Sequence, residues 1–145
     1  MTERYSYIKS FSELSEGHHK GIYQFSLSEA DKKSCGLRIC VNNKSSCDQI
    51  LKRIFDEQVV NKLSTNKPFS QSGIKVSLES PITLKKEYFN SEKWVYLLLF
   101  PSPDLLSVVE KSSSNEVVVV FSETDYSDHL VQWAKDNDVK SLSTE

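Results

Sequence analysis

Four side chains able to do acid–base or metal chemistry fall together just past one apolar segment: Glu123, Asp125, Asp128 and His129 follow Val117–Phe121. Carboxylates so clustered can hold a divalent cation, and a carboxylate beside a histidine can divide acid and base roles. Ligands of open α/β sheets bind outside the carboxyl ends of strands, so the position suits a site. The same acids also have a reason to be there with no ligand, because negative charge in a helix's first turn complements the helix dipole. The four are candidate catalytic residues, and no metal or cofactor is assigned to them.

The thiols and remaining imidazoles make weaker constellations. Three cysteines, Cys35, Cys40 and Cys47, form an odd set that reads as reduced thiols. Cys40 falls inside a strand pattern, where a cysteine packs as a small apolar side chain instead of closing a zinc loop. Cys47 is placed in the first turn of a helix, where the dipole lowers a thiol's pKa, so it is the one candidate reactive cysteine. His18 and His19 are adjacent, so on regular structure they point apart and do not readily chelate one ion. Basic residues are scattered as Lys32–Lys33, Lys52–Arg53 and Lys85–Lys86; Tyr88, Phe89 and Trp94 beside the last pair suggest base stacking next to phosphate contacts.

These residues need elements to carry them. Val117–Phe121 and Trp94–Phe100 are apolar throughout, as strands covered on both faces are. Between them Ser102, Pro103 and Asp104 make a helix start, with Leu105, Leu106, Val108 and Val109 on its buried side. Thr124 or Ser122 caps a last helix bearing Tyr126, Leu130, Trp133 and Ala134, followed by a short strand over 139–142. Upstream, Ile74, Val76 and Leu78 alternate as a half-buried strand ending at Pro81, and residues 82–90 read as an edge extension passing into a loop. Ser46 and Gln49 have capping-box spacing, opening a helix that carries Leu51, Ile54, Phe55, Val59 and Leu63. Gly21–Ser28 and Gly36–Asn42 both alternate with period two and read as an antiparallel hairpin. The first twenty residues are left as a short strand or helix plus loop.

The expected fold is therefore α/β: one domain over 1–145, with a mixed sheet made of an N-terminal hairpin and a parallel C-terminal strand–helix–strand–helix unit, covered by about three helices. The 145 residues, 38% hydrophobic and 26% charged, suit one core with a well-solvated surface. Only 4 glycines are present, so no Gly-rich phosphate loop can be built. A net charge of -2 gives no basic field for a polyphosphate backbone, which disfavours nucleic acid. The longest apolar run is far short of the ~20 residues a membrane span needs, and the first segment has no signal-like run, so the expectation is a cytoplasmic protein.

The stretch EVVVVFSETDYSDHLVQWA, Glu116–Ala134, resembles the strand and following helix of Toll/interleukin-1 receptor-type domains. The resemblance covers fewer than twenty residues, and any buried strand entering a capped helix gives the same pattern, so it assigns no family. Without a catalytic signature, the expected function is a non-enzymatic protein-binding module, such as an inhibitory or immunity-type accessory protein of a bacterium or phage that masks a partner by charge complementarity. The alternatives are a small metal-assisted hydrolase or nuclease using Glu123, Asp125, Asp128 and His129, and a subunit that binds single-stranded nucleic acid around Lys85–Trp94.

Overall fold

Strands whose side chains are buried on both faces form the middle of the molecule. In the computed structural model, β5 (Trp94–Leu99) is buried at every position and β6 (Asn115–Glu123) at six consecutive ones. They pair in parallel, and β5 also pairs in parallel with β2 (Gly36–Cys40). Around them the sheet runs β3 (Phe69–Gln71), β4 (Ile74–Glu79), β2, β5, β6, β1 (Glu3–Lys9), β7 (Lys140–Ser141). Only β3 and β4 are antiparallel. The described residues are 2–10, 14–44, 47–65, 67, 69–85, 92–112, 115–124 and 128–142.

Because strand side chains alternate between faces, each strand feeds two cores. Leu37, Ile39, Val95, Leu97, Val117 and Val119 face one layer of helices, α1 (Glu16–Lys33), α2 (Asp48–Lys52) and α3 (Glu57–Ser64). Cys40, Tyr96, Leu98, Val118 and Val120 face the other, α4 (Pro81–Lys85), α5 (Pro103–Lys111) and α6 (Asp128–Asn137). The result is a three-layer α/β/α arrangement with six helices among the described residues.

The expected α/β class, mixed sheet and strand–helix–strand–helix unit are all present, and three details are corrected. The N-terminal hairpin does not exist: Gly21–Ser28 lies within α1, where Ile22, Tyr23, Ser26, Leu27 and Ala30 are buried at helical spacing. Six residues of alternation coincided with a helix face, and Gly36–Cys40 pairs in parallel with β4 and β5 instead. The antiparallel pair is β3–β4, joined through Ser72 and Gly73, both with positive φ. The helix expected from Ser46 to Leu63 breaks into α2 and α3, because Asp56 adopts extended backbone and its carboxylate accepts from Val59 N at 2.9 Å, starting a new helix. Ser46 itself is outside the described residues. Residues 81–85 form α4, not an edge strand.

Other expectations hold. Ser102 caps α5 with Pro103 in the first turn, its hydroxyl accepting from Leu105 N at 3.2 Å. The last strand exists as two residues paired in parallel with β1. No helix among the described residues is long and apolar enough to cross a membrane.

Candidate functional site

From β2 the chain passes to α2 and α3 on one face, and from adjacent β5 it passes to α5 on the other. Where neighbouring strands send their connections in opposite directions, the sheet opens a crevice at their carboxyl ends. Here that crevice encloses about 340 Å³, within the roughly 300–1,000 Å³ typical of small-molecule sites. Leu14, Ile50 and Phe100 give it apolar walls; His19, Asn42, Gln49, Arg53 and Glu123 bring polar groups.

The floor is held by one amide. Asn42, just past β2, donates from Nδ2 to Phe100 O at 2.8 Å and accepts at Oδ1 from Ser102 N, also at 2.8 Å. Phe100 has a φ of 49°, left-handed backbone that a bulky side chain rarely adopts. Its N–H donates to Phe121 O at 2.7 Å, so β6 and Asn42 together hold the unusual turn. From the other layer, His129 Nε2 donates to Pro101 O at 2.7 Å. The turn over 100–102 is thus pinned from β2, β6 and α6, as strained backbone at functional sites generally must be.

His19 is the buried polar group of the crevice, only 2% exposed. Its position follows from the helix start. Ser15 caps α1, and His18 completes a capping box by accepting from Ser15 N at 3.0 Å, which turns His19 inward. His19 Nδ1 lies 2.7 Å from Ser15 O. A carbonyl only accepts, so Nδ1 carries the proton and the neutral ring keeps its lone pair on Nε2. Nε2 has no partner among the described residues and is the nitrogen available to a ligand. The ring packs edge-on against Phe121, centroids 4.8 Å apart, and near Phe100. Burial holds its pKa below the ordinary imidazole value, and the Arg53 charge adds to that, against the opposing bond to Ser15.

Arg53 ends α2 and lines the crevice, as does Glu123 at the end of β6. Among the described residues neither forms an ion pair, with the other or with any neighbour. Among the described residues the lining thus carries one charge of each sign outside any ion pair, with Lys9 beside Glu123 in the β1–β6 register.

Of the four candidate catalytic residues, Glu123 reaches this crevice, while Asp128 is exposed in the first turn of α6 and His129 is engaged with Pro101 O. Asp125 is outside the described residues. No three His, Cys, Asp or Glu side chains among the described residues converge on a metal position. His19, Arg53 and Asn42 were not singled out as a site from the sequence, where they are separated by tens of residues and meet only through the strand order. The one local signal was Asn42, a polar side chain directly after an apolar strand.

Cys47 is a buried thiol at the N-cap of α2, not a reactive one in its first turn. Burial, together with the Asp48 charge, pushes the Cys47 thiol up; its Sγ–H is directed to Lys44 O at 3.3 Å, and α2 has only five residues. Cys40 is fully buried in the core, as expected. Trp94 cannot stack on a base: it is 4% exposed, with the Arg38 guanidinium 4.3 Å over its ring. Lys85 pairs with Asp104 at 3.2 Å, and Lys86, Tyr88 and Phe89 are outside the described residues.

A larger hollow, about 700 Å³, lies at the opposite, amino ends of the strands. Its Lys33, Lys75 and Lys93 are balanced by Asp31, Glu92 and Glu116, and it is away from the switch between connections where such folds bind ligands. No protein-family profile, curated protein or solved structure matches the chain.

Proposed function

We propose that the protein is a small-molecule-binding domain whose ligand occupies the crevice between the carboxyl ends of β2 and β5. The observation that carries this reading is His19: a buried imidazole with Nδ1 fixed by Ser15 O and Nε2 without a partner among the described residues, in the wall of a 340 Å³ cavity. Nε2 is an acceptor in the lining of the cavity, and a ligand donor can take it. The pinned left-handed turn at Phe100 is a second feature of the same cavity.

The expected protein-binding module rests on elimination. Ile82 and Val131 are the large apolar side chains exposed among the described residues, and scattered exposed side chains are ordinary on any surface. Metal-assisted hydrolysis by Glu123, Asp125, Asp128 and His129 would have to use Nδ1 of His129, since Nε2 is bonded to Pro101 O.

The test is a small-fragment screen read by backbone amide NMR. Fragments are expected to shift the resonances of His19, Asn42, Phe100 and Glu123 together. Hits that cluster elsewhere, with these four unmoved, would refute the proposal.

A further inference from the structure

The crevice wall also specifies what kind of ligand fits, if the binding reading above holds. Arg53 offers a guanidinium and Glu123 a carboxylate within one 340 Å³ cavity, yet the two do not pair with each other or with another described residue. A purely anionic ligand would satisfy Arg53 and be repelled by Glu123. A purely cationic one would do the reverse. Asn42 carries no charge that could compensate either, and its amide already bonds Phe100 O and Ser102 N.

We infer that the ligand is a small zwitterion of the amino-acid class, with its carboxylate on Arg53, its ammonium on Glu123 and His19 Nε2, and an apolar side chain against Leu14, Ile50 and Phe100. The roles follow from donor chemistry. Arg53 only donates, in a fork suited to a carboxylate. Glu123 and the lone pair on His19 Nε2 only accept, and an ammonium supplies protons to both. Gln49, also in the wall, can serve either end. Leu14, Ile50 and Phe100 on the same lining offer apolar contact to such a side chain.

Two matched probe sets test this by amide NMR and calorimetry on the whole chain. One is L-phenylalanine with 3-phenylpropionate and 2-phenylethylamine; the other is L-leucine with 4-methylpentanoate and isopentylamine. Each set keeps the apolar body and removes one charge. The amino acids are expected to shift the crevice resonances and bind about threefold or more tighter than either singly charged analogue, a contact with an exposed charge being worth less than a buried one. Arg53→Gln should abolish the advantage over the amine, and Glu123→Gln the advantage over the acid. Arg53 is exposed and Glu123 half-buried, so both variants should keep the wild-type spectrum away from the crevice. If a singly charged analogue binds there as tightly as the amino acid, the zwitterion inference is wrong while the crevice remains a binding site. If neither these compounds nor the fragments move the crevice resonances, both readings fall.

Discussion

Burial keeps His19 in its neutral form, and that has a consequence for the pH dependence of stability. Its folded pKa lies below the ordinary 6.5 because of burial first, and then because of Arg53 and His18; the bond to Ser15 O and the Glu16 charge oppose this without reversing it. The unfolded chain therefore takes up a proton here before the folded one does. The stabilisation is complete above 6.5 and is lost as the pH falls from there through the depressed folded value. Denaturant midpoints measured across that window should decline with acidity in the native protein and decline less in His19→Gln. Two glycines make a second contrast at this scale. A Cβ on Gly36 would meet the Trp94 ring at 2.5 Å, so Gly36→Ala should cost about 1–3 kcal/mol through overpacking. Gly21 lies mid-helix with nothing within 4 Å of such a Cβ, so Gly21→Ala should stabilise by roughly 0.5–1 kcal/mol. Thermal unfolding of the pair checks both signs.

At the scale of elements, one carboxylate ties three together. Glu110 on α5 accepts from Arg4 of β1 through both oxygens, at 2.9 and 2.7 Å, and from Trp133 Nε1 of α6 at 2.6 Å. Burial alone would raise its pKa, but the bonds from Arg4 and Trp133 and the Arg4 charge bring it below the ordinary 4.5. Its contribution is thus present above 4.5 and is lost as the pH falls through the folded value. Glu110→Gln keeps the shape but leaves Arg4 without its counter-charge, and should cost about 1–3 kcal/mol at neutral pH. Urea unfolding should show that this difference narrows in acid. The same scale explains what was readable in advance. β5, β6 and α5 were legible because unbroken apolar runs and the Ser102–Pro103 start admit one reading. α1 was misread because Tyr23, Phe25 and Leu27 alternate over a span too short to separate period two from 3.6, and its cap uses His18 where Glu or Gln is usual. Glu123 was legible as a candidate because it comes at the end of an apolar strand. Arg53 and His19 were not, because the strand order that brings their helices to one crevice is a tertiary fact with no local spacing to announce it.

For the whole molecule, the strand order leaves short strands on both rims, three residues at β3 and two at β7, which limits the unpaired backbone offered to other chains. The same order seats β1 between β6 and β7, and Thr2 bonds Asn115 across 113 positions of sequence. That placement sets a timetable for folding. β2, β5 and β6 can assemble through comparatively local crossovers, whereas β1 has no partner until β6 is in place, and closing so long a loop is entropically slow. Val119→Ala, in the centre of β6, should therefore mainly slow refolding, and Tyr7→Ala in β1 should mainly speed unfolding. Stopped-flow measurements on the two variants give the partition directly; equal slowing of refolding by both would mean that β1 joins the sheet early. Until β1 arrives, one flank of β6 is an open strand edge, so the arrival of β1 also closes that edge to intermolecular pairing while the chain folds.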